Sequence, residues 1–206
     1  MPLELAALGL KHAPYFAPGD NYHYSNTNYI LLGLVVEAVD RKPLAESLQQ
    51  RIIGPRGLTA TSLPTTIQLA PDFVHGYLSL DNSPLIDVAP LISPSIGWSA
   101  GGLVSNAPDV TTFYRGLLTG KLLPPVQLNE METPSTNAGT YGLGIDNSSP
   151  CGRALGHLGD FSNAWRNEVL ATKNGKREAV VMVNVDDAHV DWARIEAAAA
   201  RALCRG

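Results

Sequence analysis

Two apolar runs separated by Lys173-Asn174-Gly175-Lys176 constrain the fold most tightly. Asn-Gly between two such runs is the strongest short-range hairpin signal, because both turn positions need φ > 0. The spacing predicts one strand over 164–172 and its partner over 177–185. Further strands are expected at 141–145 and 154–157. A helix over about 190–203 follows, Ala-rich and amphipathic, with Trp192, Ile195 and Leu203 available to pack on a sheet. The last third of the chain is therefore an antiparallel sheet closed by a C-terminal helix.

The first two thirds read differently. Residues 1–23 form a short helix and a loop, with Pro18-Gly19-Asp20 as a turn. A helix over about 27–40 follows from the spacing of Ile30, Leu31, Leu34, Val35 and Ala38. A second, over about 43–53, starts at Pro43 and is expected to stop at Gly54-Pro55. The stretch 58–94 reads as loops with a short extended piece at 74–80. Ser105-Asn106-Ala107-Pro108-Asp109 is a helix start, with Gly120 beyond its end. A short helix follows Pro125 and ends before Pro134. The fold class is α+β: an antiparallel sheet flanked by helices (141–206), with an adjoining mainly helical region (1–140).

Composition excludes several functions. The 206 residues carry a net charge of −4 and are 17% charged and 45% hydrophobic. Nucleic-acid binding rests on clustered Lys and Arg, which this chain lacks. The longest apolar run, Tyr29 to Val36, is far too short to span a bilayer. The start, Met1-Pro2-Leu3-Glu4, has no basic segment and no long apolar segment, so no secretory signal is read there. The five histidines are scattered and none has metal-ligand spacing with a cysteine, so neither metal nor cofactor is expected. Cys151 and Cys204 are either unrelated buried thiols or a bridge. A bridge would close a long loop, worth roughly 4 kcal/mol, and place the chain in an oxidising compartment.

Chemistry enters through Tyr24-Ser25-Asn26, directly before a helix, and His157-Leu158-Gly159 on a strand. A tyrosine serves as a base only if a cation lowers its pKa from about 10, and a Lys or His across a cleft does this. Asn26 could hydrogen-bond a substrate amide from the same turn as Tyr24. Gly159 would let a substrate backbone approach the strand edge. The bland alternatives are a helix cap with a packing tyrosine and a structural histidine.

Three blocks resemble a known family in its own order. They are Phe16-x-Pro18-Gly19-x-x-Tyr22-x-Tyr24-Ser25-Asn26-x-x-Tyr29-x-x-Leu32-Gly33, then Ser99-Ala100-Gly101-Gly102-Leu103-Val104-Ser105 with Asp109, then Tyr141-Gly142-Leu143-Gly144 leading to Gly156-His157-Leu158-Gly159. They resemble the class C β-lactamase and D-alanyl-D-alanine carboxypeptidase family of serine hydrolases, and most of all its exported carboxypeptidases with His at the third motif. The resemblance implies acyl-enzyme chemistry on a D-Ala-D-Ala peptide, a β-lactam or a related ester. It assigns Tyr24 as general base and acid, Asn26 as the amide-orienting group and His157 as the electropositive partner. The backbone around Gly159 and Asp160 would contribute to the oxyanion hole. Trp98 lines the cleft or packs in the core. The resemblance also implies a Cys151–Cys204 disulfide and an exported protein.

Three departures shape the expectation. No Ser has Lys three residues on, so the family's Ser-x-x-Lys nucleophile is absent. The domain is then expected to be N-terminally truncated, inactive alone, poorly soluble and in need of a complementing N-terminal segment. A non-catalytic remnant or binding module is the alternative. Leu158 replaces the Thr or Ser of the third motif and cannot donate a hydrogen bond to a carboxylate. That points to an esterase or D-amino-acid amidase of the same fold. Asn163 stands where the family commonly has Gly, and Asn tolerates φ > 0 better than most residues.

Overall fold

The computed structural model describes residues 2–68, 70–80, 83–147 and 154–204. Its centre is a three-stranded antiparallel sheet, β3 (Ala154–Phe161), β4 (Trp165–Thr172) and β5 (Glu178–Val183), in that order. The β4–β5 hairpin forms where the Asn-Gly signal places it, but only Gly175 takes the left-handed backbone, at φ 61. Asn174 does not, and its side-chain oxygen instead accepts from the Thr172 hydroxyl at 2.7 Å and the Lys176 N–H at 3.1 Å. The tighter turn 161–165 joins β3 to β4 and places Ser162 and Asn163 at φ 56 and 55. Asn163 thus adopts the left-handed backbone that glycine usually supplies. The ladder pairs His157 with Val169 and Gly159 with Asn167. At Gly156 a Cβ would lie 1.7 Å from the Val169 carbonyl oxygen, so only glycine allows this approach of the two strands.

Helices cover both faces of the sheet. On one, α5 (Ala107–Leu118) supplies Tyr114, Leu117 and Leu118, which meet Leu155, Val169 and Ala171. On the other, α7 (Trp192–Cys204) places Ala199 and Leu203 on Ala154 and Leu170. The alternation along β3 follows from this: Leu155 and Ala154 are both almost wholly buried, against opposite layers. Charged contacts tie the layers together. Arg115 on α5 bonds Glu178 at 2.9 Å, and Arg166 on β4 lies 4.3 Å from the Trp192 ring of α7. Cys204 closes α7; its expected partner, Cys151, lies outside the described residues.

The helical region forms around α1 (Pro2–Gly9) and α2 (Asn26–Asp40). Ser25 caps α2, its hydroxyl accepting from the Thr27 N–H at 3.2 Å. Then α3 (Leu44–Leu48) does not stop at Gly54-Pro55. It widens into a π turn (Gln49–Ile53) and continues as α4 (Gly54–Arg56), ending at Gly57 with φ 66. The wide turn is the way a helix carries a proline with no N–H to donate. A two-stranded ribbon, β1 (Tyr77–Leu78) with β2 (Ile86–Asp87), is hydrogen-bonded through Tyr77 to Asn184, just past β5. The ribbon falls within the stretches read as extended and loop. Helix α6 (Pro125–Glu132) precedes the site turn.

One expected strand is absent. Residues 141–145 form a tight turn rather than a strand, with Gly144 at φ 78 and only isolated bridges, Tyr141 to Asp146 and Asp146 to Gly156. Gly142 explains it: a Cβ there would lie 2.2 Å from the Met131 carbonyl, so the chain presses onto the end of α6 and turns back.

Asp109, at the first turn of α5, is buried and holds the loop before it. The Ala60 N–H (2.8 Å) and the Thr61 hydroxyl (2.7 Å) both donate to its carboxylate. Asp109→Ala leaves both donors without that acceptor and is expected to cost about 1–3 kcal/mol in a denaturant melt. Apolar surface is left open on α2, where Leu32, Val35 and Val39 are 58%, 56% and 74% exposed. Among the described residues no strand pairs with the outer edge of β5. Such surfaces associate. The chain is expected to sediment as oligomers, and V35K/V39K to shift it towards monomer with unchanged circular dichroism. A sharp monomer peak from the native chain would refute this.

Candidate active site

The site forms where the start of α2, the 141–146 turn and the edge of β3 converge. Ile145, 1% exposed, anchors the turn in the α5 side of the core. Asp146 exchanges two backbone hydrogen bonds with Gly156, at 2.8 and 2.9 Å. These two contacts bring Tyr141 beside His157. The Gly144 side of the turn covers Tyr29, whose hydroxyl lies 3.9 Å from a Cβ built at that glycine.

The structure brings Tyr24 and His157 to one cleft, with ring centroids 6.4 Å apart. They do not form the closest pair. The Tyr141 hydroxyl bonds His157 Nε2 at 2.8 Å and the Tyr29 hydroxyl at 2.5 Å. The Tyr24 ring stands 5.5 Å from Tyr29 and 5.7 Å from Tyr141, the latter edge to face. Tyr22 completes the group, 5.6 Å from Tyr141. Tyr29 and Tyr141 were not among the site residues expected from sequence, although both lie inside the blocks that carry the family resemblance. Their positions in those blocks were the available signal.

Electrostatics departs from the expectation for Tyr24. Burial first, then the neighbouring Tyr29 phenol, pushes its pKa above the ordinary tyrosine value rather than below it. Tyr22 and Tyr141 are raised too, with burial the leading cause in each. Four phenols share one cleft, and their neighbours add to the burial that disfavours ionisation of Tyr22, Tyr24 and Tyr141.

The remaining expected residues take varied places. Asn26 is the first residue of α2, exposed at the mouth of the cleft. Trp98 is half-buried two turns further along, with φ 42. Its ring edge would touch a Cβ at Gly33, which explains why glycine stands there. At Gly159 a Cβ would lie 2.7 Å from the Asn167 side-chain amide, which would have to move aside. The Asp160 carboxylate accepts from the Asn163 N–H at 2.9 Å and so holds the β3–β4 turn. Because Gly156 bonds outward to Asp146, the alternation of the ladder turns the N–H groups of Leu158 and Asp160 to the same outer edge, and those of His157 and Gly159 inward to β4. Leu158 is 43% exposed. A cleft of about 180 Å³ touches His157 and Leu158 and is otherwise edged by Asp146, Glu168 and Glu196. Among the described residues no three His, Cys, Asp or Glu side chains group closely enough to hold a metal ion. No helix among them is long and apolar enough to cross a membrane.

A phenol and an imidazole thus meet on the rim of an antiparallel sheet, beside a helix start. The Beta-lactamase family model matches residues 3–203, and the chain belongs to that family. It is 27% identical over 190 residues to a D-aminopeptidase of Gluconobacter oxydans, covering 89% of this chain and 35% of that protein. It is 29% identical over 160 residues to a putative D-alanyl-D-alanine carboxypeptidase of Escherichia coli K12, covering 66% of this chain and 37% of that one. Among solved structures, a D-stereospecific amidohydrolase from a Streptomyces species superposes with TM-score 0.85 at 35% identity, covering 96% of this chain and 60% of that one. The chain thus spans little more than a third of the length of these two curated relatives.

The raised phenols set a pH dependence. A tyrosine whose folded pKa lies above its unfolded value stabilises the fold below about pH 10, and that stability is lost as pH rises through the folded value. In the core, burial pushes Tyr114 up to about 12. Denaturant midpoints are expected to fall steadily between about pH 10 and about pH 12, by roughly 1.4 kcal/mol per pH unit for Tyr114 alone. Tyr114→Phe is expected to flatten that decline, and an equal decline in the variant would refute the assignment.

Proposed function

We propose that this chain carries the acid–base and strand-edge part of a serine hydrolase site that cleaves amide bonds next to a D-amino acid. The observation that carries the reading is the juxtaposition of Tyr24, Tyr141 and His157 at the outer edge of β3. Tyr24 is the general base and acid, and Asn26 orients the substrate amide. The outward N–H groups of Leu158 and Asp160 hold an extended substrate and receive the developing oxyanion. His157 supplies the positive charge of the third motif.

The nucleophile and the cation that lowers the Tyr24 pKa come, in this reading, from a complementing segment with a Ser-x-x-Lys element. The open face of α2 and the free edge of β5 are where it docks. This completes an acyl-enzyme cycle: the serine hydroxyl gives its proton to Tyr24 and attacks the amide carbon. Tyr24 returns that proton to the leaving amine, and water then releases the acid. A Cys151–Cys204 bridge and an exported location belong to the same reading.

Leu158 selects among substrates. It has no hydroxyl to grip a free carboxylate, which favours D-amino-acid amides and D-aminopeptides over D-Ala-D-Ala carboxypeptidase substrates. The named activities of the D-aminopeptidase and the D-stereospecific amidohydrolase support that choice.

The test is complementation. The chain alone is expected to leave a fluorescent penicillin unbound after denaturation. Co-expressed with the part of the Streptomyces amidohydrolase that it does not match, it is expected to hydrolyse D-alanine amide faster than a D-Ala-D-Ala peptide. Y24F should lower that rate by about 10²–10⁴-fold. Covalent labelling of the chain alone, or full activity in Y24F, would overturn the reading.

A further inference from the structure

The hydrogen bonds around His157 fix more than its position. Its Nδ1 is bonded to the Leu158 carbonyl oxygen, and a carbonyl only accepts, so Nδ1 carries a proton. In the neutral ring Nε2 is then a bare lone pair, and the Tyr141 hydroxyl 2.8 Å away must donate to it. With its proton so used, the Tyr141 oxygen accepts from the Tyr29 hydroxyl at 2.5 Å. The chain has a single direction: Tyr29 to Tyr141, Tyr141 to His157, His157 to the Leu158 carbonyl. Burial, then the bond with Tyr29, holds the Tyr141 phenol far above the ordinary tyrosine range, so this donor keeps its proton at any working pH.

We propose that Tyr141 is a positioning residue which donates to His157 Nε2 in the Nδ1–H tautomer and relays the ring's charge state, through Tyr29, to the phenol cluster containing Tyr24. When a proton arrives at Nε2, the imidazolium donates to Tyr141 and the two phenol bonds reverse. Tyr141 then donates to Tyr29, and the Tyr29 proton turns towards Tyr24, whose ring is its neighbour. No covalent bond is made or broken. A positive His157 thereby favours negative charge on Tyr24 without touching it. The other titratable groups near the strand are Tyr22 within the cluster and Asp146, Glu168 and Glu196, which share a cleft with His157.

The tautomer stands on geometry alone; the relay to Tyr24 rests on the function proposed above. Long-range ¹H–¹⁵N spectra of the full-length chain, with the V35K/V39K changes to keep it monomeric, read the tautomer, and H157A assigns the signal. The expected spectrum has Nδ1 protonated and Nε2 bare. Y141F leaves the Leu158 carbonyl on Nδ1 and should keep the Nδ1–H form, while the Nε2 nitrogen shift moves to that of a lone pair with no donor. Y29F removes the donor behind Tyr141 but not the donor to the ring, and should leave both nitrogen shifts near native. An Nε2–H native ring, or an Nε2 shift unchanged in Y141F, overturns the assignment.

In the complemented enzyme, Y141F should lower kcat with little change in KM and move the pH profile. A packing role would leave the profile where it was, and that outcome overturns the relay. A native Nδ1–H ring in a complemented enzyme that hydrolyses nothing would instead count against the proposed function, with the tautomer assignment intact.

Discussion

The position of β3 is the constraint on which the site depends. It is clamped in three directions at once. Leu155 is buried under α5 and Ala154 under α7. The outer edge is stitched at Gly156 to the 141–146 turn, while the inner edge lies so close to β4 that no side chain fits at Gly156. From Leu158, two residues beyond that clamp, no strand among the described residues pairs with the outer edge of β3. A looser β3 would let His157 drift from Tyr141, because a hydrogen bond tolerates only a few tenths of an ångström.

The cleft is built from phenols more than from charges. The His157 imidazole stands against Tyr24 and Tyr141 in a cluster with Tyr22 and Tyr29, and burial makes Tyr22, Tyr24 and Tyr141 harder to ionise. The site is ordered by the hydrogen bonds that join Tyr29, Tyr141 and His157. Preorganised polar networks of this kind rigidify a site when every member is satisfied.

Membership of the Beta-lactamase family and the open surfaces on α2 and β5 belong together. The chain matches the family model over residues 3–203 and covers 60% of the superposed amidohydrolase. Leu158, 43% exposed beside His157, is a methyl-bearing side chain that offers a carboxylate nothing to bond.

Local signals in the sequence determined much of the architecture. Asn174-Gly175 set the hairpin, Ser25 and Asn106 set helix starts, and Asn163 met the turn's demand for positive φ because its short side chain tolerates it. Each is a preference expressed within a few residues. The motifs also marked Tyr24 and His157, whose residue types carry the chemistry. Tertiary structure alone decided the rest. Residues 141–145 became a turn because Gly142 meets the Met131 carbonyl, a neighbour eleven residues away that no local periodicity encodes. The same turn delivered Tyr141 to His157 Nε2 and Tyr29 to Tyr141. Hydrogen bonds between residues that lie far apart in the chain are fixed by how the elements pack, and packing is a property of the whole fold.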